Sequence, residues 1–331
     1  MTLDTQPLLD VRDLSVDFNI RKGKLHAVRE ASFTLSAGET LAVLGESGSG
    51  KSVTAMSIMG LLDPKRSTVR GQILLEGVDL VGMKRSQQRH FQGRRIAMIF
   101  QDALAALNPV QTVGNQISEV LRVHTSAAAK DAKRQAIDLM DRVRIPAAAS
   151  RYSSYPHQLS GGMRQRIMIA IALALRPAVL IADEPTTALD VTVQAQIMQL
   201  LMELRSETGM ALLFITHDLG VSAEVADRIA VMYAGRIVET GPAAQIYLHS
   251  RHPYTRGLLK SIPCTAQRGQ RLTPIVGSPP PINAVPAGCA FHPRCPSAEA
   301  ICATTRPELH EITPAHASAC HLAEAVCDDN R

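Results

Sequence analysis

The chain has 331 residues, 46% of them apolar and 20% charged, with 35 Lys/Arg against 30 Asp/Glu for a formal net charge of +5. That length and apolar content allow one large domain with a smaller companion and argue against disorder. Only 3% of residues are aromatic and Trp is absent, which argues against a surface that reads nucleic-acid bases by stacking.

From the N-terminus, Met1 to Asp13 holds three Asp and no basic run, so it does not read as a secretory signal. Residues 8–44 alternate apolar and polar in short runs, with turn signals at Gly23 and Gly38, and predict antiparallel strands. Leu41 to Leu44 is a short apolar strand, Gly45 breaks it, and Ser52 to Leu62 has helical spacing. Lys84, Arg85, Arg89, Arg94 and Arg95 form the densest basic cluster. It reads either as a solvated helix face or as a surface facing phosphates or lipid headgroups. Thr112 to Pro156 is Ala-rich and polar with helical spacing and predicts an inserted helical subdomain. Ile167 to Leu175 is apolar for nine residues, well short of the roughly 20 needed to span a bilayer. Val179–Ala182 and Ala211–Ile215 are further buried strands, so the core is expected to be a parallel sheet with crossover helices. Composition shifts near Pro263: residues 263–331 hold ten of the 19 prolines, all six cysteines and a net charge of −1, from five Lys/Arg and six Asp/Glu.

Gly45, Glu46, Ser47, Gly48, Ser49, Gly50, Lys51 and Ser52 fit the phosphate-loop pattern in full. Phosphate oxygens need converging N–H donors, and glycines let the backbone curve around an anion without a Cβ clash. The helix that follows adds its own N–H groups from Ser52 and Val53 and the positive end of its dipole. Lys51 brings a point charge to the β/γ-phosphates, and Ser52 brings a hydroxyl for Mg²⁺. Asp183 and Glu184 close another strand, where Asp183 suits the Mg²⁺ shell and Glu184 the orientation or deprotonation of water.

Leu159, Ser160, Gly161, Gly162, Met163, Arg164, Gln165 and Arg166 resemble the signature motif of ATP-binding cassette proteins. Met163 departs from the Gln common there. The resemblance covers residues 8–262. It implies an α/β P-loop NTPase fold: a mixed sheet core, an antiparallel β subdomain and a helical subdomain at about 102–176. It also implies that two such domains pair head to tail, the Ser160, Gly161 and Gly162 turn of one closing on the ATP of the other. By the same resemblance Gln101 touches Mg²⁺ and water, Asp190 lies at the dimer interface, His217 nears the γ-phosphate and Phe18 stacks on adenine. The run from Phe100, Gln101 and Asp102 to Leu107, Asn108, Pro109 and Val110, and that from Arg251 to Leu259, look like segments of dipeptide and oligopeptide importer ATPases. Ala103 stands where those have Pro. Such a subunit works at the cytoplasmic face of the membrane. Its partners are a homologous ATPase subunit, two transmembrane permeases and an extracytoplasmic solute-binding protein. Its substrates are short peptides and nucleic acid is not a partner. Importers of nickel or another small solute, and soluble cassette ATPases outside transport, are the competing readings.

Cys289, Cys295, Cys302 and Cys320 are separated by five, six and 17 residues, too widely for the knuckles of most structural zinc sites. Four thiols in one short segment suit zinc, an iron–sulfur cluster or simple packing. Resemblance to importer ATPases with a cysteine-bearing tail implies a [4Fe-4S] cluster on these four. Cys264 and Cys327 fall outside that pattern and read as ordinary thiols.

Overall fold

Period-two burial folds the start of the chain onto itself. In the computed structural model, which describes residues 6–21, 23–187, 189–261 and 274–324, β1 (Leu9–Ile20) and β2 (Gly23–Leu35) pair antiparallel from Leu9↔Leu35 to Ile20↔Gly23. Leu9, Val11, Leu14 and Val16 face the core from β1, and Val28, Ala31, Phe33 and Leu35 from β2. The chain then forms β3 (Thr40–Leu44), α1 (Lys51–Ile58), β4 (Ser67–Leu75) and β5 (Val78–Asp79). Next come α2 (Arg85–Gln88), β6 (Ile96–Ile99), α3 (Ala103–Ala106), α4 (Val113–Thr125), α5 (Ala129–Arg142), α6 (Ala148–Arg151) and α7 (Gly161–Leu173). They are followed by β7 (Val179–Asp183), α8 (Val191–Thr208), β8 (Ala211–Thr216), α9 (Leu219–Val225), β9 (Arg228–Tyr233), β10 (Arg236–Pro242), α10 (Ala243–His249) and α11 (Pro253–Lys260). The tail adds α12 (Ala300–Thr304), β11 (His310–Thr313) and β12 (His316–Ser318). Cys264, Cys327 and the composition boundary at about 262 lie outside the described residues.

Two compact units emerge, one from residues 1–35, 39–82 and 214–331, the other from 36–38 and 83–213. In the first, β4 joins β1 antiparallel and β5 joins β4. β3, expected as a strand of the parallel core, stands outside this antiparallel set. It is buried at every position and pairs parallel with β9, Leu41↔Arg228 to Leu44↔Val231, the arrangement that fully apolar strands favour. β9 turns into β10 through Ala234 and Gly235, whose φ values of 46° and 85° suit a two-residue hairpin. The tail is sewn onto this sheet: Glu239 pairs with Ser318 and Thr240 with Ala317, β11 pairs with β12, and Ala319 N donates to Val238 O at 2.8 Å.

In the second unit β6 and β7 pair parallel, Ile96↔Val179 to Ile99↔Ala182. Between them run α3 to α7. Val113, Ile117 and Leu121 make the buried stripe of α4, and Ala132, Ala136 and Met140 that of α5. Gly114 lets α4 lie on the Tyr152 ring, where a Cβ would come within 2.2 Å of the ring. Tyr152 Oη in turn bonds Ser118 Oγ at 2.9 Å. The basic residues Lys84, Arg85, Arg89, Arg94 and Arg95 are all exposed, as both readings of the cluster require. Among the described residues no helix is long and apolar enough to cross a membrane.

Where β10 meets the tail, Glu239 is fully buried and accepts from the Arg251 and His252 amides and from His316 Nε2, the last at 2.9 Å. His252 caps α11, its Nδ1 accepting from Tyr254 N at 3.1 Å. Burial pushes its pKa down from 6.5 to about 4 against the opposing pull of Glu239. The unfolded chain therefore takes a proton on this ring below about pH 6.5 that the folded chain refuses until about pH 4. Stability should fall as pH drops through that window, by up to about 3 kcal/mol from this ring alone. Thermal melts from pH 7.5 to 4.5 check it: His252→Asn, which keeps a capping oxygen, should flatten the slope relative to the parent chain.

Candidate active site

The loop between β3 and α1 is shaped by backbone contacts that exclude side chains. Gly45 has φ 155°, and a Cβ there would stand 2.2 Å from Met232 O and 2.8 Å from Ser49 Oγ. Gly50, φ 108°, would meet Ala27 O at 2.8 Å. The β9–β10 turn latches the loop, Gly235 N donating to Ser49 O at 2.8 Å and Arg29 N to Gly235 O at 2.8 Å. Inside the loop Ser49 N donates to Glu46 O at 3.2 Å. Lys51, 5% exposed, folds its ammonium back onto Gly45 O at 2.7 Å and Glu46 O at 2.9 Å. Gly50 precedes α1 and offers no capping side chain, so Ser52 and Val53 open a helix whose head suits an anion. A Cβ at Gly48 would meet nothing within 4 Å. Gly48 and Ser47 thus form the open lip of the loop.

In the second unit the structure brings together two sequence-predicted residues 83 positions apart. Gln101 Nε2 donates to Glu184 Oε2 at 2.9 Å, and Thr187 Oγ1 donates to the same oxygen at 3.0 Å. Asp183, buried at the end of β7, immediately precedes Glu184. Glu184 has φ 47°, a left-handed conformation uncommon for a non-glycine residue and frequent at functional turns. Two donors on one oxygen orient the carboxylate while leaving it acceptor capacity for a water proton. Thr187 was not foreseen; its only sequence signal is its place three residues after Glu184.

Ser160 caps α7, its Oγ accepting from Met163 N at 3.3 Å. Asp190 caps α8, its Oδ1 accepting from Val193 N at 2.9 Å. These two helix heads touch: a Cβ on Gly162 would stand 2.7 Å from Val193 Cγ1, and one on Gly161 3.5 Å from Leu189 Cδ2. The signature turn and the segment ending at Asp190 therefore form one packed corner. His217 is exposed after β8, next to the α9 cap Asp218, and Phe18 is half-buried on β1 opposite Leu25.

Cys289, Cys295, Cys302 and Cys320 all line one small cavity, and Cys289 N donates to Cys302 O at 2.8 Å. Burial pushes the thiols of Cys289 and Cys295 up, and that of Cys320 to about 11, so with no metal they stay protonated and pack as small apolar groups. Among the described residues no three His, Cys, Asp or Glu side chains are grouped so as to hold a metal ion. The expected [4Fe-4S] ligand set thus shares a cavity without standing as a ready-made ion site.

Residues 28–187 match the family model for ABC transporters, and residues 238–302 that for the C-terminal region of oligopeptide/dipeptide transporters. A protein of Brucella abortus (strain 2308), assigned as a peptide import ATP-binding protein, is 51% identical over 320 residues, covering 97% of this chain and 96% of its own. One so assigned in Brucella melitensis biotype 1 is 48% identical over 330 residues, 96% of this chain and 98% of its own. Among solved structures, the dimeric ATP-binding cassette MJ0796, in a post-hydrolysis state bound to ADP and Pi, matches with a TM-score of 0.64 at 25% identity, over 71% of this chain and 98% of its own. CbiO1 of Clostridium perfringens, part of the ABC transporter complex cbiONQ, matches with a TM-score of 0.61 at 27% identity, over 73% and 91%.

The packed corner at Gly162 gives a direct test. Gly162→Ala must displace Val193, a stiff β-branched side chain, and overpacking of that kind costs about 1–3 kcal/mol. In a Val193→Ala background the same substitution should cost far less. Urea unfolding of the four chains measures both.

Proposed function

This chain belongs to the ABC transporter family as the ATP-hydrolysing subunit of a peptide importer, and from that premise we propose how its residues divide the work. Amides of Gly45, Ser47, Gly48, Ser49 and Gly50 and of the α1 head at Ser52 and Val53 receive the β- and γ-phosphates. Lys51 exchanges its two loop carbonyls for phosphate oxygens. Phe18 stacks on adenine. Ser52, Asp183 and Gln101 supply oxygens for Mg²⁺, whose charge, when bound, offsets that developing on the phosphates. Buried Asp183 and the hydroxyl of Ser52 are the hard oxygen donors that such an ion takes.

Glu184 acts as general base on the attacking water, and His217 contacts the γ-phosphate. The single observation that carries this reading is the 2.9 Å bond from Gln101 to Glu184. It puts the acid under the control of the segment Phe100–Val110, which is exposed at Phe100, Leu104 and Val110 and is the proposed contact for a permease. Ser160, Gly161, Gly162 and Met163 close over the nucleotide of a homologous partner subunit, with Asp190 at that interface. Two permeases and an extracytoplasmic solute-binding protein complete the importer, and the subunit sits on the cytoplasmic face of the membrane. Closure of the ATPase pair drives the permeases, and hydrolysis resets them.

The four tail cysteines are proposed to hold an iron–sulfur cluster; their shared cavity and all-thiol chemistry support it. Anaerobically purified protein should then be coloured and carry iron and acid-labile sulfide in equal amounts. Colourless, iron-free protein prepared that way would overturn it.

For the catalytic role, Glu184→Gln in the assembled importer should lower phosphate release by about 10²- to 10⁴-fold while leaving Mg·ATP binding intact. Undiminished release from that variant would reject Glu184 as the base.

A further inference from the structure

Glu46 is the one acidic residue between Gly45 and Ser52, an odd choice for a loop that faces a triphosphate. The tail takes hold of it. Arg294 Nη1 donates to Glu46 Oε2 at 2.6 Å and Nη2 to Oε1 at 2.9 Å, across 248 residues of sequence. This is a bidentate fork, the strongest geometry open to an ion pair. The Arg294 side chain is 5% exposed and that of Glu46 28%, so solvent screens the pair far less than a surface bridge.

The arginine is itself fixed on every side. Nη1 also donates to Tyr233 Oη at 3.3 Å and Nε to Val276 O at 3.2 Å. The guanidinium lies 5.9 Å from the Tyr233 ring centroid and 5.8 Å from that of Phe291. Tyr254, fully buried, packs on both rings at 4.5 and 5.4 Å and accepts from Glu46 N at 2.9 Å through its hydroxyl. With Glu46 O accepting from Lys51 and Ser49 N, a single loop residue is gripped at its amide, its carbonyl and both carboxylate oxygens. The amide is held from α11 and both carboxylate oxygens from the tail.

The turn that carries Arg294 is framed by the cysteine cavity. His292 N and Nδ1 both engage Cys289 O, at 3.1 and 2.8 Å, and Cys295 follows Arg294 directly with its amide on His292 O at 3.2 Å.

We infer that Arg294 is a positioning residue for nucleotide binding: it neutralises Glu46 and fixes the loop backbone, so that the C-terminal extension sets the shape and charge of the phosphate site. This rests on the proposed role of the loop in holding ATP. Without Arg294 the Glu46 carboxylate would stand unpaired beside the incoming phosphates, adding like-charge repulsion to a looser loop.

The test is Mg·ATP affinity of the purified full chain, read by displacement of a fluorescent nucleotide, with ligand-free thermal midpoints beside it. Arg294→Met, which keeps the apolar stem, should bind about tenfold more weakly, as loss of a charge-assisted pair implies. Adding Glu46→Gln to that chain should recover most of the loss, because the unpaired charge is gone. Recovery of affinity by this second substitution is what a merely structural role would not produce. Unchanged affinity in Arg294→Met, or no recovery in the double variant, would overturn the inference. If Arg294→Met does not fold, Arg294→Lys decides: severalfold weaker binding supports the fork, and parental affinity overturns it. A parent chain with no Mg·ATP affinity would instead sink the ATPase reading itself, a separate and recognisable result.

Discussion

The parallel pairing of β3 with β9 is the constraint on which the phosphate loop depends. It carries Met232 to the carbonyl position that only a glycine at 45 can approach, and it delivers the Ala234–Gly235 turn to Ser49. The loop is therefore held from outside, by a hairpin almost 190 residues later, as well as by its own glycines. Because the contacts are backbone to backbone, their geometry does not depend on side-chain rotamers, which suits a cradle that must be in place before its anion arrives.

The second unit solves a different problem. Glu184, the proposed base, is aimed by a left-handed backbone at the end of a buried strand and by two neutral donors on one carboxylate oxygen. Each donor fixes the carboxylate through a directional hydrogen bond. The strain at Glu184 is tolerated because buried β7 and buried Pro185 bracket the turn.

What was legible in the sequence was local. The phosphate loop, the acid pair after Val179–Ala182 and the Ser160 turn each occupy a few consecutive residues whose types have a direct chemical reason, and they lie on the strands and helices that the apolar runs predict. The parallel pairing of β3 agrees with the apolar run Leu41–Leu44 read as a core strand. Two things were not legible. β11 and β12 join β10, yet His310–Thr313 and His316–Ser318 are too short and polar to announce a strand. Arg294 reaches Glu46 across 248 positions with no periodic signal at either end. The cysteines were legible as a group, because four thiols in 32 residues are conspicuous, whereas their arrangement around one cavity belongs to the fold.

The joint at Glu239 also limits how the chain can be divided. A version ending after α11 would lose His316 from a buried carboxylate and strip β12 from β10, leaving an unpaired strand edge rich in apolar neighbours. Such an edge is a template for self-association. The tail thus covers a sheet edge that would otherwise stand open, and a cut between body and tail removes that cover.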